Sequence, residues 1–142
     1  AQSDNAAETK IYRTSLKIGA YIAVVLVVIA VLFADQLISV FNSGNSSELL
    51  SYASLGFRIY FAGFLIASVN IIKSGFYSAV GKGTEASVIA LSRGVISISV
   101  MAFLLSGIFG IIGVWLAFPV SEIITWLLSL VVDKVKSKSV ER

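Results

Sequence analysis

Cysteine and histidine are absent from the 142 residues, and there is a single proline. Without cysteine there is no disulfide framework and no thiolate metal site. Without histidine the commonest general base, the commonest metal ligand and the near-neutral pH switch are lost together. Charge is scarce too: 13% of residues are Asp, Glu, Lys or Arg, against about a quarter in an ordinary soluble domain. These absences argue against an enzyme, and no catalytic residue, metal site or resident cofactor is expected. The glycine-containing "GKGT" at 81–84 lacks the full spacing and the preceding buried strand of a phosphate loop, and reads as a turn.

What is present is apolar. Hydrophobic residues make up 57% of the chain, more than a soluble core of this length can hide. The charges also avoid the long apolar runs. The expected fold class is therefore all-α, an integral membrane bundle of four transmembrane helices. A span needs roughly 20 apolar residues at ~1.5 Å each, and four segments qualify: about 14–40, 50–80, 86–106 and 109–132. Residues 1–142 read as one membrane region ending in a basic tail over 133–142. The first apolar run, from about Ile18 to Ala34, exceeds the core of a signal peptide and is read as a span. The chain opens on Ala1 rather than methionine, as expected of a processed chain or an excised piece.

The connections "NSGNSSE", "GKGTE" and "GIFG" are short, which makes sequential spans antiparallel neighbours. Span two is too long to cross straight and untilted. Lys10, Arg13 and Lys17 precede span one, Lys73 and Lys82 flank the second loop, and Lys134, Lys136, Lys138 and Arg142 follow span four. The first and third loops hold no Lys or Arg. By the positive-inside rule, both termini face the cytoplasm of a multi-pass protein in the cell (inner) membrane, and the charges are lipid-facing flanks.

Span one offers no polar stripe and is expected to face lipid, with Asp35 and Gln36 at the outer interface. Span two carries Gly56, Tyr60, Gly63, Ala67, Asn70, Ser74 and Ser78 at spacings of three and four, one face of a helix. This face reads either as helix packing through small residues or as the lining of a polar cavity around Asn70. Arg58 and Lys73 are each expected to snorkel toward the nearer interface.

Span three carries Arg93, ~10 Å deep, with Ser97 one turn further on the same face. Span four carries Glu122, ~15 Å deep, with Thr125, Ser129 and Asp133 behind it at helical spacing. The two charges lie at similar depth on neighbouring spans, so an ion pair is expected. A charge at the bilayer centre costs at least ~2.5–3.5 kcal/mol, which pairing, protonation or water must reduce. Three readings stay open: a permanent clamp between helices, a carboxylate that couples to H⁺ or Na⁺ or to substrate, and a Glu in an aqueous vestibule. Pro119 removes a backbone hydrogen bond near Trp115 and invites a kink, either facing a cavity or merely improving packing.

Residues 58–93, "RIYFAGFLIASVNIIKSGFYSAVGKGTEASVIALSR", and 109–130, "FGIIGVWLAFPVSEIITWLLSL", resemble the C-terminal part of multidrug and toxic compound extrusion (MATE) transporters. The likeness runs over roughly residues 10–131 and rests on the order of three features: the "GFYSAVGKG" helix exit, an Arg early in the next helix, and the "GVWLAFPVSE" entry to the last. It implies the last four helices of the second lobe of a twelve-helix, two-lobe transporter. It further implies alternating access and export of organic cations or drugs in exchange for Na⁺ or H⁺. Partners would be the remaining helices of the parent transporter, the lipid bilayer and a small cationic substrate; no nucleic acid is expected. Glu122 matches the acidic position that follows the last-helix proline in that family, and its coupling role is only implied. The alternatives are a related flippase of lipid-linked oligosaccharides, whose cavity should be broadly basic, and a non-transporting membrane subunit.

Overall fold

A computed structural model describes the backbone over residues 2–42, 44 and 46–140, and side chains over 6–42, 44 and 46–131. Among these residues the chain is helical throughout, with no strand. The elements are α1 (Gln2–Leu32), α2 (Ala34–Ser39), α3 (Ser47–Ala62), α4 (Phe64–Ala79), α5 (Gly83–Leu91), a π-helical segment (Ser92–Ser97), α6 (Ile98–Phe109) and α7 (Ile111–Val140). Four stretches are long and apolar enough to cross a membrane: Ala6–Leu32, Ser47–Ala79, Gly83–Phe109 and Ile111–Val131.

The helices run beyond the apolar runs. α1 is already helical at Gln2, because a helix needs no apolar residues to continue into water once it is nucleated. It stops at Leu32, before the expected end of span one near residue 40, and α2 restarts after Phe33. The basic tail is helical to Val140, and its side chains lie outside the described residues.

The first loop is built by Asn42. Its amide donates to the Ser46 carbonyl (2.8 Å) and its side-chain oxygen accepts from the Ser46 N–H (3.2 Å). Ser46 in turn caps α3, its hydroxyl accepting from the Leu49 N–H (3.2 Å). Such a cap satisfies one of the donors a helix start leaves open. The α6–α7 link turns on Gly110, whose φ of +58° is costly for residues with a Cβ. Three residues later, a Cβ on Gly113 would run into the Leu105 carbonyl. The glycine is what lets α6 and α7 approach closely.

α1 lies on α4, and α7 packs against α3, α4, α6 and the π segment. The buried residues are mostly small: Ala23, Val27, Ala30 and Ala34 from the first two helices, and Ala67, Ala86 and Ala117 from the others. Most large apolar side chains of α1 point outward, including Tyr21, Leu26 and Val28. That distribution suits a bundle in lipid, where apolar burial supplies no drive and close backbone contact does.

Candidate functional site

Two spans are interrupted where they meet α7, which itself runs unbroken through Pro119. Span two breaks at Gly63, whose N–H bonds to the Tyr60 carbonyl (3.1 Å), a tighter turn than the α-helical one. A Cβ at Gly63 would lie 2.7 Å from the Phe118 ring and 3.0 Å from Pro119 Cα. The break is thus pressed against the proline of α7, which itself denies the Trp115 carbonyl its helical donor. Tyr60 stacks on Phe118 across the same junction, with ring centroids 4.4 Å apart. A Cβ on Gly56 would meet the Trp115 ring. Span three is interrupted by the π-helical turn Ser92–Ser97, and such turns concentrate at functional sites.

Beside these interruptions runs a buried polar seam. Glu122 is 1% exposed and Asn70 is fully buried. The Asn70 amide donates to the Glu122 carboxylate oxygen Oε2 at 2.8 Å and to the Glu122 backbone carbonyl at 2.9 Å. The other carboxylate oxygen, Oε1, lies 3.6 Å from Arg93 Nη1, an ion pair whose cationic side chain stays about a third exposed. One carboxylate therefore ties α4, the π segment and α7 together. A buried carboxylate stripped of either partner would cost several kcal/mol.

The two remaining candidates are also buried. Ser97 is buried on the π segment, and Thr125 is fully buried one turn after Glu122. Two oxygens, Asn70 Oδ1 and Thr125 Oγ1, are buried without a hydrogen-bond partner among the described residues. Unmade bonds of this kind typically cost ~1–3 kcal/mol each, so they are groups prepared to accept one.

Several expectations need correction. Lys73 does not snorkel: it is 5% exposed and donates to the Ser129 carbonyl (3.0 Å) and hydroxyl (2.9 Å). The last helix continues alongside it and supplies acceptors within reach. Its position three residues after Asn70, on the same face, was the available signal. Arg58, by contrast, stays exposed and is paired with Asp35. Its Nη2 lies 3.2 Å from both Asp35 carboxylate oxygens, and its Nε donates to the Val31 carbonyl at 3.4 Å. Ser78 is exposed at the end of this face, while Ser74 donates to the Ala86 carbonyl (3.1 Å). The side chain of Asp133 lies outside the described residues.

A bundle of apolar helices packed around a buried charge defines a multi-pass membrane protein. The chain belongs to the MatE family, whose profile matches residues 7–103, and that family is one of transporters rather than enzymes. It is 26% identical over 119 residues to "Multidrug export protein MepA" of Staphylococcus saprophyticus subsp. saprophyticus, covering 78% of this chain and 26% of that protein. It is likewise 26% identical over 117 residues to the protein of the same name from Staphylococcus haemolyticus, covering 77% of this chain and 26% of the relative. The chain thus spans about a quarter of the length of the curated relatives it matches. No solved structure matches it.

Proposed function

We propose that this chain is the C-terminal four-helix part of a multidrug efflux antiporter, in which Glu122 couples export of cationic drugs to entry of Na⁺ or H⁺. Membership of the MatE family and the printed names of the two relatives support drug export. The observation that carries the coupling role is a carboxylate buried in a membrane span and shared between Asn70 and Arg93. An incoming proton or Na⁺ competes with Arg93 for Glu122. The orphaned oxygens of Asn70 and Thr125 add hard acceptors suited to Na⁺. Loss of the Arg93 contact frees the π segment from α7, and the break at Gly63 and the π turn give the spans joints for alternating access. Both termini face the cytoplasm, as the Lys and Arg distribution supports.

A flippase for lipid-linked oligosaccharides is disfavoured by the same seam. Its two cations are tied to a carboxylate and to Ser129 rather than offered to a pyrophosphate.

The test is drug efflux and its ion dependence in the full-length protein with Glu122→Gln. This change keeps the shape and an oxygen acceptor for Asn70 but removes the ionisable charge. Coupled efflux should be lost while the protein remains folded in the membrane. Wild-type efflux with unchanged ion dependence would reduce Glu122 to a clamp between helices.

A further inference from the structure

Lys73 has no role in the coupling proposed above, yet it is the buried cation of α4. It is 5% exposed and lies six residues before the end of α4 at Ala79, ~9 Å along the helix. Its ammonium donates to the Ser129 carbonyl at 3.0 Å and to the Ser129 hydroxyl at 2.9 Å. That hydroxyl donates onward to the Trp126 carbonyl at 2.7 Å, which leaves its lone pairs for the lysine. A charge at this depth in a span is expensive, and small residues would bring α4 and α7 together at less cost. Packing alone does not call for a lysine here.

Its place in the register gives it a task. Contacts that advance along span two advance in the same order along α7, from Gly56 and Trp115 through Gly63 and Pro119 to Lys73 and Ser129, so the two run parallel. A Cβ on Gly63 would fall 3.0 Å from the Pro119 Cα. Lys73 and Ser129 follow that contact by ten residues on both helices, ~15 Å further on. The bonds from Asn70 to Glu122 lie between these two points. At the first the helices touch through a glycine; at the second the lysine ties them. Asn70 has a short side chain, and its bonds of 2.8 and 2.9 Å weaken once the helices part by roughly half an ångström. Asn70 Oδ1 has no hydrogen-bond partner among the described residues, so Lys73 does not hold it directly and acts through the spacing of the helices.

We propose that Lys73 is a positioning residue. It keeps α4 on α7 so that the Asn70 amide stays on the Glu122 carboxylate, and it thereby sets the ion concentration at which Glu122 responds. The second half rests on the coupling role proposed for Glu122, whereas the first rests on the geometry alone.

The experiment uses the full-length protein in liposomes, with Lys73→Met, Lys73→Arg, Asn70→Ala and the Lys73→Met/Asn70→Ala double variant. One readout is the infrared carboxyl band of Glu122, identified as the band that Glu122→Gln removes. The other is ethidium export, titrated with Na⁺ at fixed pH and, separately, driven by an imposed proton gradient. Asn70→Ala shifts the band by removing its hydrogen bond. Lys73→Met should shift it in the same direction, and the double variant should shift it no further than Asn70→Ala does. Lys73→Arg should leave the band near wild type, because the guanidinium keeps donors for Ser129. Ser129→Ala removes one acceptor and keeps the lysine; it should give a smaller shift of the same sign and serves where Lys73→Met fails to fold. The half-maximal ion concentration should change about fivefold in Lys73→Met, the scale of one hydrogen bond, with the KM for ethidium unchanged. A band that neither Lys73→Met nor Ser129→Ala moves overturns the proposal, as does a shift that adds in full to that of Asn70→Ala. A moved band with an unchanged ion concentration, in a protein that Glu122→Gln uncouples, overturns the part of Lys73 in coupling. If Glu122→Gln leaves the ion dependence intact, the coupling role falls by itself, and the band alone decides whether Lys73 positions Asn70.

Discussion

The first and last helices both pack along a stripe with mostly four-residue steps, and the two stripes are chemically opposite. On the first side it is Ala23, Val27, Ala30 and, past the break, Ala34. On α7 it is Gly113, Ala117, Ser121, Thr125 and Ser129, with Glu122 beside them. In lipid an apolar stripe gains only close contact, since the surroundings are as apolar as the partner. α1 accordingly leaves a groove along its side. The α7 stripe is held instead by directed bonds, from Asn70 to Glu122 and from Lys73 to Ser129. The contrast predicts that α1 is replaceable by any helix of similar shape, whereas α7 is specific to its partners.

The contrast is broken most directly by Glu122→Ala. This leaves Arg93 and the Asn70 amide without their carboxylate. With Arg93 a third exposed, the main loss is the bond of the buried Asn70 amide, about 1–3 kcal/mol, read as a lowered Tm in detergent. Val28→Ala on the exposed face of α1 should stay within about 0.5 kcal/mol of wild type. Equal effects of the two substitutions would show that the polar seam contributes nothing to α7.

A matched pair of glycines sharpens the same point at comparable magnitude. In Gly113→Ala the new methyl meets the Leu105 carbonyl, part of a helix backbone, so α6 and α7 must separate. In Gly19→Ala the methyl meets the end of the Ile72 side chain, which can rotate away. Overpacking that cannot relax costs ~1–3 kcal/mol, so Gly113→Ala should lower Tm clearly and Gly19→Ala much less. Equal losses would mean that α1 sits as tightly on α4 as α7 does on α6.

Much of this arrangement was legible beforehand, for identifiable reasons. Charge-free runs and a composition poor in charge give four helices in hydrocarbon directly. The Arg93–Glu122 pair followed from depth arithmetic along two neighbouring helices, and Asn70 from its place among small residues. The π-helical turn did not follow, because it is a backbone adjustment and "SRGVIS" differs little from an ordinary helix. Lys73 escapes the sequence reading because a lysine near a helix end has two outlets, water or a neighbouring helix. Only the register of α7 decides between them. The Asp35–Arg58 contact joins residues far apart in sequence, on either side of the first loop, which no local pattern announces.

That contact supplies the smallest predicted effect and completes the comparison, since it repeats the Arg–carboxylate chemistry of the seam in an exposed setting. Its geometry is the better of the two, with Arg58 Nη2 at 3.2 Å from both oxygens against 3.6 Å for Arg93 and Glu122. Exposure nevertheless makes it weaker, because solvated charges gain little from pairing and lose side-chain freedom. A double-mutant cycle on Asp35→Asn and Arg58→Gln should therefore give a coupling energy below about 1 kcal/mol. The corresponding cycle on Arg93 and Glu122 should exceed it, because truncating Arg93 strands the buried Glu122 carboxylate. If the exposed pair couples as strongly as the buried one, the distances rather than the surroundings set the energy.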